Sequence, residues 1–265
     1  MRNTIVIGTL GVAISFGMLA FGYLAGSGQV IAAVPPATER TVPSMDKGQI
    51  EQIVRNYLLE NPELLVEVQT ALETRQREAQ RVAQTETIRG SSDRIFDAEH
   101  DGIVGNPDAS VTVVEFFDYN CGYCKRALED MQAMTAEDSD LRFVLKEFPI
   151  LGPDSKQAHI VSMAFRALAP EKYAEFHTAL LGARGRANEA AAIRIALSLG
   201  VDEAALREEM KNPAIEAAFN ETYDLANKLS VTGTPSYVIG DEVVFGAQGQ
   251  ETLTEAVRSV RESEG

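Results

Sequence analysis

The chain has 265 residues, 45% hydrophobic but only 7% aromatic and without Trp. That is enough apolar material for one generous globular domain with an aliphatic, Phe-based core and a smaller accessory segment. Thirty-nine acidic against 24 basic side chains leave a formal charge of −15, a surface that repels phosphate backbones and anionic lipid and so excludes nucleic acid as a partner.

In chain order, Arg2 precedes an apolar run from Ile5 to Ala25, close to the roughly 20 residues that span a bilayer. Residues 1–26 read either as a membrane anchor or as a signal peptide cleaved near the small residues Ala25–Ser27 or Ala32–Ala33. Both readings place the rest outside the cytoplasm, with Arg2 held inside. Residues 27–44, with Pro35, Pro36 and Pro43 and no hydrophobic period, form a linker.

Residues 45–90 are helical by pattern. Ile50, Ile53, Val54, Tyr57 and Leu58 make one stripe; Asn61-Pro62-Glu63 restarts a helix, and Leu65, Val68, Leu72, Ala79 and Val82 continue it, with Arg75 interrupting the seam. An amphipathic helix of this kind needs a partner. It either packs back on its own catalytic domain or self-associates through residues 48–88.

The remaining domain, about 100–265, opens near Gly105. Val111–Phe117 is a β-branched and aromatic strand leading directly into Cys121, Lys125–Met134 is helical, and Leu141–Phe148 is a second strand. Residues 154–230 are almost wholly helical in pattern, with stripes such as Val161, Ala164, Phe165, Leu168 and Ile215, Phe219, Thr222, Ala226, Leu229. Strands return at Tyr237–Ile239 and Val243–Phe245 around Gly240-Asp241, and a helix closes the chain from about Glu251.

The only two cysteines stand as Cys121-Gly122-Tyr123-Cys124. Structural disulfides of an exported protein are normally more numerous and farther apart, and a zinc site would need more ligands. His100, His159 and His177 are scattered and read as ordinary helix or loop residues. A C-x-x-C where a strand meets a helix has its own logic: the helix N-terminus favours a thiolate on the first cysteine, and the second lies one turn on, placed to attack a mixed disulfide. Cys121 is thus the candidate nucleophile and Cys124 the resolving thiol. Glu115 is an acid in an otherwise apolar strand, costly to bury unless paired or functional. Two readings, not mutually exclusive, are open: a proton acceptor for Cys124, and an ion-pair partner of Lys146 on the neighbouring strand.

The segment Val113-Val114-Glu115-Phe116-Phe117-Asp118-Tyr119-Asn120-Cys121-Gly122-Tyr123-Cys124, followed by Lys146-Glu147-Phe148-Pro149 and Gly233-Thr234-Pro235-Ser236, resembles the DsbA-like family of thioredoxin-fold thiol–disulfide oxidoreductases. Residues 44–90 are similar to the N-terminal helical extension of the suppressor-of-copper-sensitivity protein C subgroup. The resemblance implies an α/β thioredoxin fold with a helical insertion, a cis peptide at Thr234–Pro235 facing the cysteines, and a buried acid at Glu115. Thr234, Pro235 and Tyr123 become the candidate substrate-contacting residues. An ordinary trans Pro235 opening an edge strand is the alternative.

Gly122-Tyr123 departs from the Pro-His dipeptide of the best-known DsbA oxidases and looks like that of DsbC isomerases. A moderate lowering of the Cys121 pKa is expected, and isomerase or reductase use ahead of primary oxidation. The implied clients are exported cysteine-containing proteins, with a membrane redox partner for turnover and no metal or organic cofactor. Outside this class stand a tethered binding or holdase module with a merely structural disulfide, and a thioredoxin-fold peroxidase.

Overall fold

The computed structural model describes residues 46–264. The apolar run of residues 5–25 and the linker lie outside them; among the described residues, no helix is long and apolar enough to cross a membrane.

Of the described residues, 46–61 belong to one unit and those from Pro62 onward to another. In the first, α1 (Lys47–Glu60) starts with a capping box: the Asp46 carboxylate accepts the Gln49 N–H at 2.9 Å and the Gln49 side chain accepts the Asp46 N–H at 3.2 Å.

The second unit begins with α2 (Glu63–Gly90), whose two ends behave differently. Leu65, Val66, Val68 and Leu72 are exposed. In the last turns, Ile88 enters the core and the Gln84 amide donates to the Leu229 carbonyl at 2.7 Å. α2 therefore packs back only through its end, and residues 84–90 belong to the domain that follows. The short α3 (Ser92–Phe96) adds Ile95 to the same core.

A five-stranded sheet runs in the order β1-β3-β2-β4-β5, from β1 (Gly102–Gly105), β2 (Val111–Phe117), β3 (Leu141–Glu147), β4 (Ser236–Ile239) and β5 (Glu242–Phe245). Strands β2 and β3 are parallel, joined through α4 (Gly122–Glu137); every other pairing is antiparallel. β1 was not expected: its four residues are half glycine and show no alternation. At Gly102 the reason for glycine is space, since a Cβ there would lie 1.8 Å from the Tyr173 ring.

Between β3 and β4 the expected helical block is a run of helices: α5 (Pro153–Leu168), α6 (Tyr173–Leu181), α7 (Glu189–Ser198), α8 (Glu203–Glu209) and α9 (Pro213–Lys228). α10 (Gln250–Glu264) closes the chain. Alternation along the strands sorts two cores. Val113, Phe117, Phe143, Leu145 and Tyr237 pack with Leu128 and Met131 of α4 and Leu253 and Val257 of α10. Val114, Phe116, Val144 and Val238 face the other way, onto Ile88, Ile95, Leu225 and Leu229.

Candidate active site

The pair sits where β2 hands over to α4. Asp118, Tyr119 and Asn120 make the turn, closed by the Cys121 N–H donating to the Asp118 carbonyl at 2.9 Å. Cys121 is the N-cap of α4 in extended conformation, and its sulfur accepts the Cys124 N–H at 3.4 Å, taking the place a Ser or Asp oxygen usually fills. Facing it, Thr234–Pro235 is a cis peptide, and the Cys121 thiol donates to the Thr234 carbonyl at 3.1 Å.

The two thiols are made unequal. Cys121 keeps 6% exposure and Cys124 none, so a substrate can reach only the first. The Cys121 pKa is lowered to about 5, chiefly by the hydrogen bond from the Cys124 thiol, with the Thr234 hydroxyl and the N–H groups of Cys124 and Tyr123 adding to it against the cost of burial. That is a deeper depression than the moderate one expected. Donors converging on one sulfur accomplish it without a His between the cysteines. Burial pushes Cys124 far upward, helped by its bond to Cys121 and by the nearby Glu115.

Glu115 is 1% exposed and lies on the cysteine face of the sheet, level with Leu145 on one side and Tyr237 on the other. Neither carboxyl oxygen has a hydrogen-bond partner among the described residues. Burial, and then the negative charge on Cys121, raise its pKa to about 8. The ion pair with Lys146 does not form. Lys146 is level with Phe116, one residue on from Glu115, so alternation sends the two side chains to opposite faces. The Lys146 ammonium donates instead to the Asp101 carboxylate and the Arg94 carbonyl. Tyr123 stands at the rim, 58% exposed, with the Arg126 guanidinium 4.3 Å from its ring centre.

Sequence reasoning missed the residues that brace the turn. The Asp118 carboxylate accepts the N–H groups of Asn120 at 2.8 Å and Leu151 at 3.0 Å and the Ser155 hydroxyl at 2.8 Å. The Tyr119 N–H donates to His159 Nε2 at 3.2 Å, so the ring proton is on Nδ1, facing Glu147. Glu147 also accepts from Ser162 at 2.6 Å and from the Tyr173 hydroxyl at 3.0 Å. His177 is fully buried and held neutral, its pKa brought down to about 3 by burial. The available signal was the polar pair Asp118 and Asn120 interrupting an apolar run beside a cysteine. Among the described residues, no cluster of His, Cys, Asp and Glu could hold a metal ion.

Fold and site together define a thioredoxin-type domain with a helical insertion and a C-x-x-C opposed by a cis-Pro loop. The family description "DSBA-like thioredoxin domain" matches residues 112–258, more than half of the chain, and the chain belongs to that family. The "Copper resistance protein ScsC N-terminal domain" matches residues 46–79.

Among solved structures, a thioredoxin-like oxidoreductase from Silicibacter pomeroyi is 41% identical, covering 64% of this chain and 97% of that one with a TM-score of 0.61. The thiol-disulfide exchange protein alpha-DsbA2 of Wolbachia pipientis is 31% identical, covering 69% and 98% with a TM-score of 0.63. Of curated relatives, the Na(+)/H(+) antiporter NhaA 3 of Salinispora tropica is 26% identical over 163 residues, 62% of this chain. The chain spans about a quarter of that relative's length, 25%.

Proposed function

We propose that this protein is an extracytoplasmic thiol–disulfide oxidoreductase acting on exported proteins. The inequality of the two thiols carries the reading: a reachable Cys121 held as thiolate beside a sealed Cys124 held protonated. The Cys121 thiolate attacks a client disulfide, forming a mixed disulfide and expelling one client thiolate. Cys124 then gives up its proton and attacks Cys121 Sγ, expelling the second thiolate and closing the Cys121–Cys124 disulfide; two electrons have passed to the client. A membrane redox partner returns the pair to its working state.

Glu115 is the proton acceptor for Cys124. While Cys121 is a thiolate, its charge helps keep Glu115 protonated. Once Cys121 is tied up in the mixed disulfide that charge is gone, and the carboxyl ionises more readily at the step that needs a base. Thr234, Pro235 and Tyr123 shape the client groove, with the cis-Pro loop lying where an extended client segment would pass the Cys121 sulfur. The basic residue and apolar run at the start of the sequence support the location.

Isomerase or reductase use remains the favoured direction on architectural grounds. The ScsC-type match covers α1 and the exposed first part of α2, a surface suited to self-association that would gather several Cys121 sites around one client. One observation favours a second reading, primary dithiol oxidase: the lower the Cys121 pKa, the more the reduced form is stabilised and the more oxidising the pair.

The deciding experiment uses both cysteine variants. Cys121→Ser is expected to abolish insulin reduction, and Cys124→Ser to trap mixed disulfides with clients. Full activity in Cys121→Ser would leave the holdase reading standing. Comparing oxidation of reduced clients with repair of scrambled ribonuclease then separates oxidase from isomerase.

A further inference from the structure

Immediately beside Cys121 lies a loop, residues 182–188, that the active-site turn holds from two directions. The Asn120 side chain donates to the Ala187 carbonyl at 2.9 Å and accepts the Ala187 N–H at 2.8 Å. From the other side of the cysteine pair, the Lys125 ammonium donates to the carbonyls of Ala183 at 2.9 Å and Gly185 at 3.3 Å. The residue before Cys121 and the residue after Cys124 therefore fix one segment against the nucleophile. That segment carries Arg184 and Arg186.

Most of the cations gathered there lack a carboxylate partner among the described residues, as Arg75, Arg166 and Lys172 also do; what distinguishes them is that they adjoin the cysteine turn. Over most of this acidic surface a basic side chain has a carboxylate beside it, as in Arg81–Glu78, Arg207–Glu203, Lys211–Glu208 and Lys228–Asp224. At the rim only Arg186 does, pairing with Asp154 at 2.5 Å. Arg184 is exposed and has no ion-pair partner among the described residues. Arg126 is exposed and lies over Tyr123. Among the described residues Lys125 bonds to carbonyls and has no ion-pair partner.

We propose that this basic rim selects client segments whose cysteine is flanked by Asp or Glu. The proposal rests on the redox reading above and adds which disulfides are attacked fastest. A chain of net charge −15 repels an acidic segment over most of its surface, so a local cluster of unpaired cations both draws the segment in and sets where it lands. The planar guanidinium groups of Arg126 and Arg184 suit carboxylates through paired hydrogen bonds. The effect lies in the encounter, so it weakens as salt rises.

The test uses the full reduced chain and three extended peptides of equal length. Each carries the same mixed disulfide, with its cysteine flanked by Asp, by Ser or by Lys. Second-order exchange rates are read by stopped flow at low and at high salt. The Asp peptide is expected to react roughly threefold to tenfold faster than the Ser peptide at low salt, the Lys peptide to be slowest, and the three to converge at high salt. Arg184→Gln should bring the Asp-to-Ser ratio towards one, Arg184→Glu should invert it, and the Cys121 pKa should stay in place in both. Equal rates for all three peptides in the parent protein, or a ratio indifferent to both Arg184 variants, would overturn the rim and leave the redox function intact. No exchange with any peptide would overturn the redox reading, and the rim with it.

Discussion

Glu115 and Lys146 are opposite charges on neighbouring central strands, both buried, and they never meet. Lys146 is fully employed, its ammonium held by the Asp101 carboxylate and the Arg94 carbonyl on the face that packs against α3. Glu115, on the cysteine face, has no hydrogen-bond partner among the described residues. A buried ionisable group with a partner is a structural element; one without a partner, beside a buried thiol, is free to exchange a proton with it. The difference arises from the pleat alone, since moving one position along a strand exchanges faces.

The largest effect expected from breaking this contrast is on the Lys146 side. Asp101→Ala leaves a buried ammonium without its counter-charge and should cost about 3–5 kcal/mol of stability in urea unfolding. Alkylation of Cys121 in the folded protein should proceed as before. A loss near zero would mean that Lys146 finds another way to water.

Glu115→Gln should act with the opposite sign on stability. Folding raises this carboxyl from 4.5 to about 8, so unfolding releases its proton across that window and stability falls as pH rises through it. The variant should therefore be more stable than the parent by about 3 kcal/mol at pH 7, with the advantage gone near pH 4. Its mixed disulfides should persist roughly a hundredfold longer if Glu115 is the base for Cys124. Unchanged lifetimes would assign the proton elsewhere.

A smaller effect sharpens the comparison. Folding lowers the Cys121 thiol from 9.0 to about 5, a contribution that is lost as pH falls through 5 and grows as pH rises above it. Between pH 5 and 8 it opposes that of Glu115, so these two contributions largely offset each other in the reduced parent. In Cys121→Ser that offset disappears, and stability should fall with pH more steeply than in the parent, by up to about 1.4 kcal/mol per pH unit over the same range. Iodoacetamide alkylation of the parent should be half-maximal near pH 5; a midpoint at the ordinary thiol value would contradict the geometry at the start of α4.

The smallest effect is expected from removing residues 46–79. The apolar side chains of α2 lost in this way are exposed, so thermal stability of the remainder should change little, while the oligomeric mass of the protein should fall if this surface self-associates. A deletion carried to residue 90 is a different experiment, because it takes away Gln84 and Ile88, which belong to the catalytic core.

That boundary shows where sequence reasoning stopped. The strands Val111–Phe117 and Leu141–Glu147, the helical block and the order of elements were legible, because local composition and period decide them. So was the cysteine turn, since C-x-x-C behind a strand restricts the geometry. The end of α2 was not, because Ile88 looks like any residue of the preceding stripe until the Leu229 carbonyl stands beside Gln84. The Lys146 ion pair, one of the two readings open for Glu115, fails because Asp101, forty-five residues away in the chain, is brought to Lys146 only by the fold. The histidines read as ordinary, and the sequence held no sign that His159 would receive the Tyr119 amide.

The glycine at the edge of the sheet reaches further than its size suggests. Gly102 leaves room for the Tyr173 ring; the hydroxyl of that ring ends on Glu147, Glu147 orients His159, and His159 holds the amide of Tyr119, two residues before the nucleophile. One absent methyl group thus serves as the bearing of a linkage that ends at the thiolate. A side chain introduced at Gly102 would push on that linkage from its far end, and sulfur reactivity could be tuned from the sheet's outer strand with both cysteines and their immediate neighbours left as they are.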